Sequence, residues 1–274
     1  MHSRREKAVQ RISSFNSAII ALSGGVDSAL VARLAKEHVA GRIIAVSATG
    51  SFHDSQELKE AGETARLLGL EHRFIQGPGV SDEDLRNNPP DRCYICKRIF
   101  YSTLVEMEEK EGLEAVMDGT NVDDDRPDRP GLKAGRELGI VSPLLESGIS
   151  KNEVRKWAAE LGLPNAAKPS NTCLATRFPY NTLLSEKVLE SVAGAERKLK
   201  SVISGNLRMR VHGDICRLEM DVEKIKLLDD LEKRRRVLRI LKESGFRYVT
   251  LDLEGYRSGS MDDSGIKSAK RDNA

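Results

Sequence analysis

Short apolar segments alternate with amphipathic ones along the first part of the chain. This pattern predicts strands over residues 17–22, 42–47, 71–75, 115–118 and 139–142, with helices over 6–14, 27–38, 55–68 and 150–161 and one beginning near residue 93. The segment 17–22 is almost entirely apolar, as is typical of a strand that is buried on both faces. Strands and helices that alternate at this spacing predict an α/β fold with a doubly wound parallel sheet, in which ligands bind beyond the carboxyl ends of the strands.

The pattern changes after Pro169. A helix is predicted over 185–202, strands over 207–211, 215–220 and 248–253, and a long charged helix over 224–244. We therefore expect a nucleotide-binding domain at 1–168, a smaller α+β domain at 169–260 for substrate binding or oligomerisation, and a disordered polar tail at 261–274.

Charge and hydropathy restrict the choice of partners. The 274 residues carry 44 Lys and Arg against 42 Asp and Glu, a net charge of +2, which gives no reason to expect a nucleic-acid partner. The basic run at 233–236 is expected to be the solvated face of an amphipathic helix. The chain has no apolar run long enough for a membrane span and no apolar stretch near its start, so we expect a cytoplasmic protein.

The strongest motif follows the first predicted strand and reads Ser23-Gly24-Gly25-Val26-Asp27-Ser28. Glycines let backbone amides approach a phosphate, and the N-terminus of the following helix adds its dipole. The two serine hydroxyls can donate to phosphate, and Asp27 can help to hold Mg²⁺. An ordinary tight turn with a capping serine is the simpler alternative. Because no Gly-Lys-Ser/Thr follows, the segment is not a Walker loop.

The four cysteines offer a second chemistry. Cys93 and Cys96 form a Cys-x-x-Cys where a loop enters a helix, a position that stabilises thiolates, and Cys173 lies far away in sequence. Three thiolates would leave one iron of a 4Fe–4S cluster open to bind sulfide. The alternatives are a zinc site completed by another ligand, a redox disulfide with Cys173 as a persulfide carrier, and buried cysteines without chemistry. The last is our expectation for Cys216.

The phosphate loop resembles the PP-loop of the ATP pyrophosphatases, and further motifs resemble the LarE family of sulfur transferases, which build the nickel-pincer nucleotide cofactor. These motifs are Asp-Gly-Thr-Asn-Val-Asp-Asp at 118–124 with Asp-Arg-Pro-Gly at 128–131, Cys-Leu-Ala-Thr-Arg at 173–177, and the segment 252–260. The resemblance implies that ATP is cleaved between its α- and β-phosphates. It also implies that a carboxylate of pyridinium-3,5-biscarboxylic acid mononucleotide is adenylated and becomes a thiocarboxylate.

The resemblance also implies the source of sulfur. One branch of the family sacrifices a cysteine at the position of Cys173 and leaves dehydroalanine. Another branch adds a Cys-x-x-Cys and holds a 4Fe–4S cluster that supplies sulfide repeatedly. Cys93 and Cys96 place this sequence in the second branch. Family members form rings of subunits, so the resemblance implies a homo-oligomer. It also implies that sulfide comes from an outside source.

Roles for further side chains follow from the same resemblance and from their chemistry. Adenine is expected near Ser47, at the end of the second strand. Phosphate contacts are expected from Asn121 and from Thr176, where the family usually has serine. Guanidinium groups suit an anionic mononucleotide, and the candidates are Arg177, Arg208 and Arg210. Candidate Mg²⁺ ligands besides Asp27 are Asp124, Asp128 and Glu196. A solvated acidic loop and a solvated sheet face are the alternatives.

Three rival functions share the phosphate loop. A tRNA-thiolating enzyme would need a broad basic surface, which the net charge of +2 does not favour. An amidating ligase of the NAD or GMP synthetase type would need ammonia but not three cysteines. A regulatory nucleotide-binding module would bind ATP without cleaving it.

Overall fold

A computed structural model describes residues 3–125, 131–168 and 172–262. The chain divides into two compact units, Met1–Leu85 with Pro90–Asn171 and Arg86–Pro89 with Thr172–Ala274. The short segment Arg86–Pro89 joins the second unit because Asn88 is fixed there. Its side-chain amide donates to the carbonyls of Phe178 and Pro179, and its own carbonyl accepts from the amide of Asn181. Residues 263–274 of the predicted tail lie outside the described residues.

The first unit is built on a four-stranded parallel sheet. Its strands are β1 (Ala18–Ala21), β2 (Ile43–Thr49), β3 (Glu71–Gln76) and β4 (Val116–Met117), in the order β3-β2-β1-β4. The fifth strand predicted at 139–142 is wrong, because the chain there makes only one bridge, from Val141 to Met117. Two residues after Val141, Pro143 lacks an amide hydrogen and begins a short helix, and this helix ends the pairing.

Helices cover both faces of this sheet, which confirms the predicted doubly wound α/β fold. The helices are α1 (Arg4–Ser13), α2 (Val26–His38), α3 (Ser55–Leu67), α4 (Glu83–Arg86), α5 (Arg92–Glu111), α6 (Gly131–Glu137), α7 (Pro143–Glu146) and α8 (Lys151–Glu160). Ala18 and Ile20 of β1 pack in the larger core cluster with residues of α1, α2 and α8, whereas Ile19 packs on the other side with Tyr101 and Leu104 of α5. This alternation is the period of two expected along a strand.

The second unit is a smaller α+β unit. It contains a 3₁₀ turn (Leu174–Arg177), α9 (Glu186–Lys200), β5 (Leu207–His212), β6 (Ile215–Met220), a 3₁₀ segment (Val222–Asp229), α10 (Leu231–Glu243) and β7 (Tyr248–Leu251). Strand β6 pairs antiparallel with β5 and parallel with β7. The single helix predicted at 224–244 is wrong. Asp230 accepts hydrogen bonds from the amides of Glu232 and Lys233 and so caps a new helix in the middle of that segment.

The basic run at 233–236 is exposed on α10, in agreement with the predicted solvated face. Within the described ranges, no helix has both the length and the apolar character needed to cross a bilayer.

Candidate functional site

The phosphate loop folds back on itself through its two serines. The Oγ atoms of Ser23 and Ser28 lie 3.1 Å apart, Ser23 Oγ accepts from the amide of Gly25 at 3.3 Å, and Ser28 Oγ donates to the carbonyl of Gly25 at 3.1 Å. Gly24 has φ +77, and a Cβ there would lie 2.6 Å from the carbonyl oxygen of Glu57, so only glycine fits. Gly25 is the N-cap of α2 and provides no side chain, which leaves the helix N-terminus open towards an anion.

Asp27 lies in the first turn of α2, and both of its carboxylate oxygens are engaged. Oδ1 accepts from Asn121 Nδ2 at 3.1 Å, and Oδ2 forms an ion pair with Lys151 Nζ. Burial raises the pKa of Asp27, the Lys151 ammonium opposes that rise, and the nearby Asp124 adds to it. The structure therefore brings Asp27 and Asn121 into contact and places Asp124 nearby. Lys151 also contacts the Asp27 carboxylate, although no sequence motif identifies it as a site residue.

Lys151 was overlooked because its segment has a sufficient structural explanation. Ser150 and Glu153 form the predicted capping box at the start of α8, and Lys151 lies between them. A second overlooked contact comes from Asn165, whose Nδ2 donates to the carbonyl of Gly24 at 3.3 Å. Asn165 is buried and follows α8 in a region without a recognisable motif.

Gly119 explains how the motif at 118–124 reaches the phosphate loop. A Cβ at this position would lie 2.5 Å from the amide nitrogen of Ser28 and 2.7 Å from the carbonyl carbon of Asp27. The chain after β4 therefore passes directly against the first turn of α2, and this close approach places Asn121 beside Asp27.

Gly119→Ala is expected to lower the free energy of unfolding by about 1–3 kcal/mol, because a methyl group would overlap backbone atoms that cannot move independently. Urea denaturation followed by circular dichroism measures the change. Gly135→Ala is the matched control. Gly135 lies in helix α6, and its new Cβ would make only ordinary contacts, with Tyr101 at 3.6 Å and Ile140 at 3.8 Å, so this variant should be neutral or slightly stabilised. Equal stability of the two variants would contradict the close approach.

Asp118 anchors the same segment through a buried hydrogen-bond network. Tyr101 donates to its Oδ2 at 2.6 Å, Ser142 donates to its Oδ1 at 2.7 Å, and Thr120 donates through both its amide and its hydroxyl. Burial raises the pKa of Tyr101 well above its usual value, and Asp118, Cys96 and Asp124 add to the rise. Cys96 and Asp124 therefore lie within electrostatic range of the same tyrosine.

Cys93 and Cys96 lie in the first turns of α5, three residues apart and hence on one helix face. Neither thiol forms a disulfide; Cys93 is exposed and Cys96 is half-buried. Cys216 is fully buried in β6, and burial raises the pKa of its thiol to about 12, which agrees with the inert role expected for it.

Cys173 belongs to the second unit and is held by its own loop. Its carbonyl accepts from the hydroxyl of Thr176 at 2.7 Å and from Arg177 Nη1 at 3.2 Å. Arg177 Nη1 also donates to the carbonyl of Thr172 at 2.8 Å, while its Nε and Nη2 donate to Glu196. Sequence reasoning assigned Thr176 and Arg177 to ligand contacts. In the structure their hydrogen bonds fix the backbone around Cys173.

Buried charges surround this loop. Glu196 accepts from Arg177 and from the amide of Met209 at 2.9 Å, and Arg210 pairs with Glu219 at 2.9 Å. A cation at Glu196, as the sequence suggested, would have to displace Arg177. Glu219 was overlooked because a lone glutamate on an alternating strand gives no signal of burial, yet it is fully buried.

A third arginine, Arg208, is also buried. Arg217 pairs with both Glu219 and the buried Asp252, so four guanidiniums accompany three carboxylates in this cluster. Arg208 Nη1 donates to the carbonyl of Leu207, and the guanidinium lies 5.5 Å from the ring centre of Tyr256. Burial lowers the pKa of Arg208, and the neighbouring Arg177 lowers it further. Such an arrangement favours an anionic ligand.

Asp128 and Ser47 are the remaining predicted site residues. Asp128 lies outside the described residues. Ser47 is buried inside β2, where its hydroxyl donates to the carbonyl of Leu22 at 2.6 Å and lies 2.8 Å from His72 Nε2. The strand continues to Thr49, so its carboxyl end lies two residues beyond the predicted position.

Within residues 3–125, 131–168 and 172–262, no group of three or more His, Cys, Asp or Glu side chains is arranged to hold a metal ion.

Comparison with known proteins reveals similarity along nearly the whole chain. Residues 4–104 match the family model for asparagine synthase. A pyridinium-3,5-bisthiocarboxylic acid mononucleotide synthase of Lactiplantibacillus plantarum is 38% identical over 97% of this chain and 96% of that protein. An uncharacterised protein of Synechocystis sp. is 36% identical over 95% of this chain and 97% of that protein.

Similarity to an amidating enzyme is more restricted. A glutamine-hydrolysing GMP synthase component of Methanococcus maripaludis is 30% identical over 54% of this chain and 50% of that protein. Full-length similarity to the mononucleotide synthase, together with the matched domain, supports an ATP-using sulfurtransferase of the PP-loop class. The chain belongs to the LarE family.

Proposed function

We propose that the protein adenylates a carboxylate of pyridinium-3,5-biscarboxylic acid mononucleotide and converts it to a thiocarboxylate, with release of pyrophosphate and AMP. The observation that carries this proposal is the phosphate loop with its half-buried Asp27, in a chain similar to the bisthiocarboxylic acid mononucleotide synthase along nearly its whole length. A carboxylate is a poor electrophile, so a sulfur nucleophile can attack it only after adenylation supplies a leaving group.

In the first step, a carboxylate oxygen of the substrate attacks the α-phosphorus of ATP. The bond from that phosphorus to the bridging oxygen breaks, and its electron pair leaves with pyrophosphate. The open N-terminus of α2 and the serines of the loop would donate to the phosphates. Asp27 and Asp124 provide the hard, partly buried oxygen ligands that suit Mg²⁺, which screens the phosphate charge. Adenine would lie beyond the end of β2, past Ser47.

The second unit supplies the features expected of a mononucleotide site. The cluster holds four guanidiniums against three carboxylates, those of Arg177, Arg208, Arg210 and Arg217 against Glu196, Glu219 and Asp252. The excess positive charge favours binding of a phosphate and of carboxylates. Arg177 contributes mainly by holding the loop of Cys173, because each of its guanidinium nitrogens already donates within that loop or to Glu196.

In the second step, hydrosulfide attacks the acyl carbon of the adenylate. The carbon–sulfur bond forms, AMP leaves with the electron pair of the broken carbon–oxygen bond, and the proton of the hydrosulfide passes to solvent. We propose that Cys93, Cys96 and Cys173 hold a 4Fe–4S cluster, which supplies sulfide when bound. The thiols of Cys93 and Cys96, which form no disulfide and lie on one helix face, suit such a group. The homo-oligomeric state and the outside source of sulfide stay predictions.

Mass spectrometry of a reaction with the mononucleotide, ATP, Mg²⁺ and sulfide tests the function. We expect AMP and pyrophosphate in equal amounts and a product in which one oxygen is replaced by sulfur. Replacing sulfide with ammonium should give no amide. Cleavage of ATP without a sulfur-containing product, or an amide in the ammonium reaction, would contradict the proposal.

Anaerobic reconstitution with iron and sulfide tests the cluster separately. The wild-type protein is expected to take up iron and to show cluster absorbance, whereas Cys93→Ala should lose both, since one of three thiolates is gone. Cys216→Ala is the matched control and should bind iron like the wild type, because this thiol is buried in β6. No iron uptake, together with conversion of Cys173 to dehydroalanine after turnover, would favour the sacrificial alternative.

A further inference from the structure

Asp27 is paired with a cation from the chain itself. Lys151 Nζ forms an ion pair with its Oδ2, and the two side chains are only 25% and 18% exposed. Asn121 Nδ2 occupies the other oxygen at 3.1 Å. Each carboxylate oxygen keeps a further lone pair, but Mg²⁺ on Oδ2 would lie beside the Lys151 ammonium and would compete with it for the same oxygen.

The base of Lys151 is fixed while its ammonium has freedom to move. The residue opens helix α8, whose start is set by the hydrogen bonds between Ser150 and Glu153. The amide of Lys151 donates to Asp123 Oδ2, which fixes the backbone from a second side. The long side chain beyond this anchor has several rotatable bonds, so Nζ can shift by a few ångström without movement of the helix.

Electrostatics give a reason for such a shift. A metal ion on Asp27 would lie beside the ammonium, and two positive charges at that distance repel each other. Triphosphate bound at the open N-terminus of α2 would bring several negative charges to the same place. Lys151 would therefore exchange a carboxylate partner for a phosphate partner when Mg²⁺ and ATP bind.

We propose that Lys151 is a displaceable counter-ion of Asp27 that moves onto the pyrophosphate portion of ATP when Mg²⁺ binds. This inference rests on the proposed function, because it assumes that ATP is cleaved between the α- and β-phosphates. During cleavage the electron pair of the broken bond leaves with pyrophosphate, and the ammonium stabilises the negative charge that develops there. Lys151 stays protonated throughout and transfers no proton.

A purely structural ion pair makes a different prediction. In that case Lys151 would stay on Asp27 in every state, and its loss would lower stability without changing the dependence on magnesium. The two roles are therefore separated by measuring binding and turnover in the same variant.

The test uses Lys151→Met and Lys151→Gln in the full chain, the second because glutamine can still donate to Asp27 if methionine impairs folding. Binding of a non-hydrolysable ATP analogue is titrated with Mg²⁺ by calorimetry. The half-saturating Mg²⁺ concentration is expected to fall roughly tenfold, because the competing cation is gone. Pyrophosphate release is expected to slow by roughly 10- to 100-fold. Lys156→Met, an exposed lysine on the same helix, is the matched control and should change neither quantity.

An unchanged magnesium midpoint, or an unchanged rate of pyrophosphate release, would overturn the role of Lys151. Failure of the proposed function is recognised differently, since the wild-type protein itself would then release no pyrophosphate with the mononucleotide and ATP.

Discussion

Asp27→Asn is expected to slow pyrophosphate release by roughly 10²–10³-fold while leaving the fold intact. Asparagine has almost the same shape and keeps one oxygen, which can accept from Lys151 or from Asn121 but leaves its NH2 group facing the other donor. It lacks the negative charge that Mg²⁺ requires at this position. The pair with Lys151 is partly exposed, so its loss should cost at most about 1 kcal/mol of unfolding free energy.

The measurement is a coupled pyrophosphate assay over a range of Mg²⁺ concentrations, with thermal unfolding as the check on folding. Asp125→Asn is the matched control. Asp125 follows the same acidic turn but is exposed and pairs with Arg136 at 2.9 Å, so its replacement should leave the rate unchanged. Near wild-type release by Asp27→Asn at saturating Mg²⁺ would show that the metal is held elsewhere.

The phosphate loop was predictable because all of its determinants are contiguous. A buried strand, two glycines, two serines and a helix start occupy one short segment, so the turn that they form can be recognised without knowledge of the tertiary structure. Asn121 and Asp124 were predictable for a related reason, since they follow a strand of the same parallel sheet and therefore reach the same edge. The structure confirms the doubly wound fold that this argument requires.

Contacts that depend on packing were not predictable. Lys151 lies within a capping box, and this motif alone accounts for the sequence of its segment. Nothing else in the sequence therefore indicates its contact with Asp27. The sequence predicts a ligand contact for Arg177 because guanidinium groups suit anions, yet this side chain donates to Glu196 and to the loop of Cys173. The split of the long C-terminal helix depends on the side chain of Asp230, whose capping role competes with a helical periodicity that continues through it.

Arg177→Met is expected to lower the free energy of unfolding of the second unit by about 3–5 kcal/mol. Arg177 and Glu196 are only 2% and 6% exposed, and the guanidinium binds both carboxylate oxygens. Removing one partner leaves the other charge buried without compensation, which is costlier than loss of the pair itself. Urea denaturation, followed by a probe in this unit, measures the effect.

The same substitution should expose Cys173, because Arg177 Nη1 donates to the carbonyls of Thr172 and Cys173 and so holds the backbone of that loop. Alkylation of Cys173, read by peptide mass spectrometry, is expected to accelerate in Arg177→Met. It should accelerate less in Arg177→Lys, which keeps the charge but not the planar fork. Arg236→Met removes an exposed guanidinium with one bond to Ser201, and its stability should stay within about 0.5 kcal/mol of the wild type.

A double variant separates the buried charge from the loop. Arg177→Met combined with Glu196→Gln no longer buries an unpaired carboxylate, so it should recover part of the stability lost in Arg177→Met alone. The rate of alkylation should stay high, since the donors to the Cys173 loop are still missing. If the double variant were no more stable than the single one, the loss would not come from Glu196. If alkylation returned to the wild-type rate, Arg177 would act on Cys173 only through overall stability and not through the hydrogen bonds that it makes to the loop.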